Sequence, residues 1–351
     1  MDAARGKGLV LVTDAMGTWT APELAEALAA GRDTLRAIDL HVHYVPREYR
    51  ERALAAGHDR PDGHVGGLPE WSAGRHLEVL DEWGIEKAVV SISTPGVQLT
   101  GDFAEGRITA RVANEGGARA VQDHPGRFGF FATLPLPDVD GSLAELEYAL
   151  DTLGADGINL LTNTHGVYLG DPRLEPVFAE LSRRRVLVRL HPTSPGALVP
   201  GVMEGWSRTM YEYFFDTTRT VINLIFSGTM ARNDGIRLIV PHAGAALPML
   251  ARRVARNVWR ANAEGRDIPD FLASLKSFYY DLAGSVTPDQ LPAILRLAGP
   301  DRLVFGSDWP FTHTGLGAEL VAELRTTPLL TEEQRRAIFV DNGRRLLTCG
   351  H

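Results

Sequence analysis

Two histidines in the stretch Ile38-Asp39-Leu40-His41-Val42-His43 are spaced to hold a metal ion. On a strand, side chains at i and i+2 share a face. Two neutral imidazoles at the end of such a strand reach one cation together, and imidazole suits zinc and similar metals. Among eleven histidines, a pair like this is as readily solvated or held in a core as bound to a metal, so its weight depends on further donors. Three other apolar runs supply them. One ends in His191-Pro192, one in His242-Ala243-Gly244, and one in Gly306-Ser307-Asp308-Trp309. Singly, His191 reads equally well as a turn residue and Asp308 as a cap. Their recurrence at the same end of separate runs favours a metal centre.

The other histidines divide differently. His58, His64, His76 and His124 fall in helical stretches or in the Gly/Pro-rich loop 57–69, where solvation is expected. His165 and His313 lie just beyond apolar runs and are expected to border the pocket as wall residues. His351 is terminal.

To bring these donors together, the runs must be neighbouring strands. The spacing predicts strands over 35–43, 87–93, 127–134, 157–163, 186–191, 237–242, 277–282 and 302–308. Most are continuously apolar, as in a parallel sheet covered on both faces. Amphipathic helices are predicted over 73–83, 108–124, 142–153, 174–184, 211–227, 247–262 and 288–297. A last one over 331–339 opens on the cap signature Thr331-Glu332-Glu333-Gln334. Eight strand–helix units predict an α/β fold, a (β/α)8 TIM barrel, whose chemistry sits at the C-terminal ends of the strands. A doubly wound open sheet is the alternative, but no G-x-G-x-x-G follows the first strand. Residues 1–34 read as a short N-terminal extension, with a helix opening at Thr20-Ala21-Pro22-Glu23 and ending at Gly31. Residues 35–351 read as the metal-dependent barrel domain.

Composition narrows the partners. The net charge of −8 and pI near 5.8 argue against nucleic acid or an anionic membrane. The single cysteine, Cys349, rules out an internal disulfide. No secretory apolar segment opens the chain and no run of about 20 apolar residues occurs. A cytoplasmic protein is expected.

The set Asp39-x-His41-x-His43, His191, His242-Ala-Gly and Gly-Ser-Asp308 resembles the amidohydrolase superfamily, from about residue 35 to about residue 345. More narrowly, it resembles the branch that contains aminocarboxymuconate-semialdehyde decarboxylase and γ-resorcylate decarboxylase. Phe215-Asp216-Thr217-Thr218-Arg219, the stretch Asn223 to Thr229, and Tyr168-Leu169-Gly170-Asp171-Pro172 are similar to 6-methylsalicylate and iso-orotate decarboxylases. The resemblance implies that His41, His43, His191 and Asp308 hold one divalent metal, zinc with manganese as the alternative. It implies an acid/base or polarising role for His242. In relatives an arginine eleven residues past that histidine, here Arg253, reaches a neighbouring subunit's site and binds substrate carboxylate, which implies a homodimer or higher homo-oligomer. Relatives often read His-Ala-Gly-Gly where this chain has Ala245.

Binuclear hydrolases of the superfamily bridge two metals with a carboxylated lysine at the end of the fourth strand. The only lysines here are Lys7, Lys87 and Lys276, none at that place, so one metal is expected. A mononuclear hydrolase of a small cyclic ester or amide stays open on these residues. The reading preferred is non-oxidative decarboxylation of a salicylate-type, 6-methylsalicylate-like acid. Direct loss of CO2 leaves an in-plane aryl carbanion, whereas protonating the carboxylate-bearing carbon first avoids it. That route needs a cation at the ortho hydroxyl and carboxylate, a proton donor near the ring carbon, and an apolar wall. Asp308 is the expected donor, aided by His242. Trp309, Phe311, Tyr168 and Phe214 are candidate walls, with plain core packing as the competing role. Arg253 and Arg189 are candidate carboxylate partners, with a structural ion pair as the alternative for Arg189.

Overall fold

The first apolar run forms β1 (Ala37–His43), buried along its whole length. In the computed structural model, which describes residues 19–29, 32 and 35–348, it is the first of eight parallel strands. The others are β2 (Ile85–Ser91), β3 (Phe128–Thr133), β4 (Gly157–Leu161), β5 (Leu187–His191), β6 (Arg237–Val240), β7 (Tyr279–Asp281) and β8 (Leu303–Val304). Each pairs with the next in chain order, with none of the order reversal that defines a doubly wound sheet. Flanking helices complete a (β/α)8 barrel. Ile38, Leu40, Val89, Phe131, Leu187, Ile239 and Val304, drawn from six of these strands, pack together inside it. A larger apolar layer fills the space between strands and helices. This double coverage is why the strands read as continuous apolar runs.

Two irregularities shape the site. Between Asp39 and Val42, β1 carries one more residue than β2, since Asp39 pairs with Ala88 and Val42 with Val90. Such a bulge breaks strict alternation and re-aims side chains. Leu40 therefore joins the inner cluster while His41 and His43 also turn toward the barrel mouth. Asp39 ties the bulge down: its Oδ1 accepts from the amides of His41 (3.0 Å) and Ser307 (3.2 Å).

The second irregularity is the seam between β8 and β1. The run expected as strand over 302–308 keeps a ladder only at Leu303–Val304. Phe305 N instead bonds Ile338 O, a carbonyl of the wide turn Ala337–Asp341 that follows the capped helix Glu332–Arg336. Closure is then made by Leu40 N to Phe305 O (3.0 Å), Ser307 N and Asp308 N to His41 O (3.0 and 2.7 Å), and His43 N to Trp309 O (2.7 Å). Gly306 permits this approach, because a Cβ there would meet His41 Cβ at 2.5 Å.

The helix Ala21–Ala29 buries Ala27 and Leu28 and lies against the helix Thr314–Thr326. Arg325 holds it there, donating to Leu28 O (2.9 Å) and to Gly84 O at the foot of the barrel (3.2 Å). The expected stop at Gly31, and Lys7, Cys349 and His351, lie outside the described residues. No helix among the described residues is long and apolar enough to cross a membrane.

Candidate active site

His41 and His43 end β1, His191 ends β5, and Asp308 follows β8. One donor atom from each lies within 4.8 Å of the others. The three imidazoles are oriented by what their far nitrogens touch. His41 Nδ1 meets Asp281 Oδ2 at 2.8 Å, His43 Nδ1 meets Ser91 O at 3.1 Å, and His191 Nδ1 meets Pro192 O at 2.7 Å. Each acceptor draws the ring proton to Nδ1 and leaves the Nε2 lone pair free to ligate. Burial holds His43 down at about 4, and burial, with His43 beside it, holds His191 well below the usual histidine range, whereas His41, against Asp281 and Asp308, is shifted upward. Neutral imidazole is the form a metal requires.

The Nε2 atoms of His41 and His43 lie 3.2 and 3.0 Å from the same oxygen, Asp308 Oδ1. His41 Nε2 is buried and makes no hydrogen bond. Lone pairs facing a carboxylate oxygen repel it; a cation among them converts the repulsion to attraction. The donor set, three nitrogens and one carboxylate, therefore fits a divalent zinc-like ion. The end of β4 offers no lysine to bridge a second ion. Lys87 pairs with Asp156 at 3.2 Å, and Lys276 lies in the helix Phe271–Ser277.

Asp281, at the end of β7, is the orienting residue that the sequence did not announce. Fully buried, it accepts from His41 Nδ1 and from the amides of His242 (3.0 Å) and Ala283 (3.2 Å). Burial alone raises a carboxyl, yet His41 and its hydrogen bond, with His242 and Arg189 nearby, hold Asp281 down at about 2. Asp281→Asn keeps the shape but removes the anion that fixes the His41 tautomer. It is expected to weaken metal affinity roughly 10–100-fold. A competitive chelator titration measures this, and an affinity within twofold of the parent protein refutes the assignment.

Above the donors opens a cavity of about 370 Å³. His191, His242 and Asp308 form its floor, with Phe214 and Phe311 as walls and Thr209 and Met210 also lining it. Phe214 stacks on His242 (5.7 Å, 24°), and Phe311 sets its edge on His43 (5.3 Å, 81°). His242 Nε2 lies 3.8 Å from Asp308 Oδ2, the carboxylate oxygen turned from the imidazole pair. Positive φ angles mark this ring of residues: His242 at 55°, Ala243 at 52°, Ala245 at 52° and Asp308 at 59°. Side-chain-bearing residues seldom adopt that conformation, and such strain concentrates at functional sites.

Several expected site residues lie elsewhere. Arg189 is wholly buried inside the barrel, donating to Ser91 Oγ and Asn159 Oδ1, and does not line the cavity. His165 is turned away to Gln98 O (2.8 Å). Tyr168 hydrogen-bonds the buried Asp216, which also accepts from Thr162, Asn163 and Arg219. The two family-like stretches around Tyr168 and Asp216 thus meet in one structural cluster. Trp309 packs behind the site on His76 (4.4 Å) with its Nε1 on Thr314. Arg253 is exposed on the helix Leu247–Ala263, outside the cavity lining. His313 caps the helix that follows it. Two histidines expected in solvent are not there. His76 is fully buried among Trp71, Phe128 and Trp309, accepting from Trp71 Nε1. His64 lines the cavity.

Comparison with known proteins agrees with this geometry. A family profile described as Amidohydrolase (Amidohydro_2) matches residues 38–348. The chain is 35% identical to a 6-methylsalicylic acid decarboxylase of Aspergillus aculeatus, over 78% of this chain and 84% of that protein. A solved amidohydrolase II superposes with a TM-score of 0.84 at 36% identity, covering 89% of this chain and 99% of that one. A 5-carboxyvanillate decarboxylase from Novosphingobium aromaticivorans, solved with manganese and a nitrobenzoic acid, shares the fold (TM-score 0.81, 22% identity, 91% and 97% coverage). With nearly the whole barrel matched by the family profile, the chain belongs to the amidohydrolase family.

Proposed function

We propose that this chain is a metal-dependent, non-oxidative decarboxylase of a salicylate-type aromatic acid, of which 6-methylsalicylate is the first candidate. The observation that carries this reading is the placement of Asp308: one oxygen among the imidazoles, the other facing an aromatic-walled cavity beside His242. The 6-methylsalicylic acid decarboxylase relative supports the same class. His41, His43, His191 and Asp308 would hold one divalent ion, zinc or manganese. When bound, that ion supplies a Lewis acid that orients the ortho hydroxyl and carboxylate and acidifies the phenol.

The chain's residues account for the rest. Phe214 and Phe311 confine the ring and exclude water. Asp308 Oδ2 takes the phenol proton and delivers it to the ring carbon that bears the carboxylate. That carbon becomes tetrahedral and the ring a dienone. The bond to the carboxylate then breaks, its electron pair restores the aromatic ring, and CO2 leaves. The product phenolate takes one proton from solvent, which balances the reaction. His242, 3.8 Å from Asp308 Oδ2, polarises the phenolate oxygen and steadies the transiently protonated carboxyl. Arg253, exposed on its helix, would serve a neighbouring subunit's site in a homodimer or larger homo-oligomer. A cytoplasmic setting fits the same reading.

Incubation with salicylate and 6-methylsalicylate in deuterated water tests it. CO2 release with one deuterium at the vacated ring position is expected. Turnover of simple esters or lactones without CO2 release would replace decarboxylation by hydrolysis.

A further inference from the structure

Arg189 is a buried charge that neither the donor cluster nor the cavity uses. It is wholly enclosed on β5, two residues before His191. Its Nη1 donates to two neutral oxygens, Ser91 Oγ and Asn159 Oδ1. Nε and Nη2 are buried without any hydrogen-bond partner. Among the described residues no carboxylate pairs with it, so the structural ion pair that the sequence allows is not formed. A guanidinium stays protonated at neutral pH. Buried without an ion pair, it is costly to the fold, and a well-packed apolar side chain in its place is often the more stable choice.

What the charge faces is the donor cluster. Ser91 takes the Arg189 bond on its hydroxyl and meets His43 Nδ1 through its carbonyl (3.1 Å). The same hydroxyl oxygen lies 3.4 Å from His43 Nδ1. One hydroxyl thus stands between the guanidinium and a ligand imidazole. The positive charge acts on His41, His43 and His191 alike, and Asp39, Asp281 and Asp308 are the anions that act on it.

A fixed cation beneath a cation site has two effects of opposite sign. It repels a divalent ion held by the donors above it, and it attracts any anion that the ion binds. Inside the barrel there is little solvent to screen either effect.

Resting on the single-metal reading above, we propose that Arg189 is a positioning residue that acts through its charge. It loosens the hold of His41, His43, His191 and Asp308 on their divalent ion. It also strengthens the grip of the loaded site on an anionic ligand, the phenolate and carboxylate of the substrate.

Competition with a zinc chelator reads the first effect. Arg189→Met and Arg189→Gln, both neutral, should bind zinc roughly tenfold or more tightly than the parent protein, while Arg189→Lys, which keeps the charge, should stay within about threefold of it. The sign is the reverse of that expected for Asp281→Asn. Binding of 2-nitrophenol to the zinc-loaded protein reads the second effect without turnover, because this ligand has no carboxylate to lose. Its phenolate is coloured, so absorbance reports ionisation of the bound form. The neutral variants should bind it roughly tenfold more weakly at neutral pH, with ionisation of the bound ligand moved to higher pH. A disturbed fold would weaken zinc and phenolate together; the charge moves them in opposite directions. Neutral variants that hold zinc no more tightly than the parent, or an Arg189→Lys protein that behaves as they do, overturn the proposal. A parent protein that binds neither zinc nor manganese removes the metal reading and this role with it. Opposite shifts in the variants, with no CO2 released from any acid, would fault the decarboxylase reading alone and leave the role of Arg189 standing.

Discussion

Asp308→Asn is expected to lower turnover by about three orders of magnitude or more, the range seen when an essential proton donor is lost. Asparagine keeps the side chain's shape, so the seam and the positive φ at this position are preserved. What changes is charge and proton. The amide cannot carry a proton to carbon, and whichever terminal atom takes the place of Oδ1 no longer presents an anion to the Nε2 atoms of His41 and His43. The two losses separate experimentally. If metal analysis still finds one equivalent while CO2 release has gone, the proton role belongs to Asp308. If metal and turnover disappear together, Asp308 acts first as a ligand. Activity within tenfold of the parent enzyme would remove Asp308 from the mechanism and pass the donor role to His242.

Chelation has the second largest expected effect. Dialysis against a strong chelator should abolish CO2 release, and one equivalent of zinc or manganese should restore it. A requirement for two equivalents would contradict the single site implied by the lysine-free end of β4. Stability should fall as well. A ligand at 1,000 times its Kd adds about 4 kcal/mol to the folded state, and for a domain of this size that is roughly 5–15 °C in Tm. The apo protein should recover both properties on reloading. An unchanged Tm would mean that the folded chain binds the ion no more tightly than the unfolded one, which would contradict the site.

The barrel and its donor ends were legible because they are repetitive. Eight apolar runs each finish in a turn, and four of them finish in His or Asp, a coincidence that a sequence exposes directly. What stayed hidden depends on distance between segments. Asp281 is one aspartate after two tyrosines, indistinguishable from an ordinary cap until His41 Nδ1 is seen 2.8 Å away. His64 sits in a polar, glycine-rich loop that reads as solvated, and only the bonds from Tyr213 and Ser194 to Asp62 carry it over the cavity. Arg189 shares the inward direction of His191, but the barrel at its level is filled, so the guanidinium ends against Ser91 and Asn159 instead of substrate. Tyr168 reads as a candidate wall and Asp216 only as part of a decarboxylase-like stretch, yet the two share a hydrogen-bonded brace beside the barrel mouth. The bulge in β1 carries no glycine or proline to announce it; it follows from the pairing of two strands.

The seam between β8 and β1 has a mechanical consequence. It is the one junction of the barrel in which no regular ladder forms, held by four bonds from bulged or turning backbone. His41 and His43 stand on one lip of it and Asp308 on the other. An ion shared by these residues would therefore act as a clasp across that seam. On the proposed reading, closing the ring and assembling the donor set would be one event, so opening the barrel at this seam would also separate His41 and His43 from Asp308.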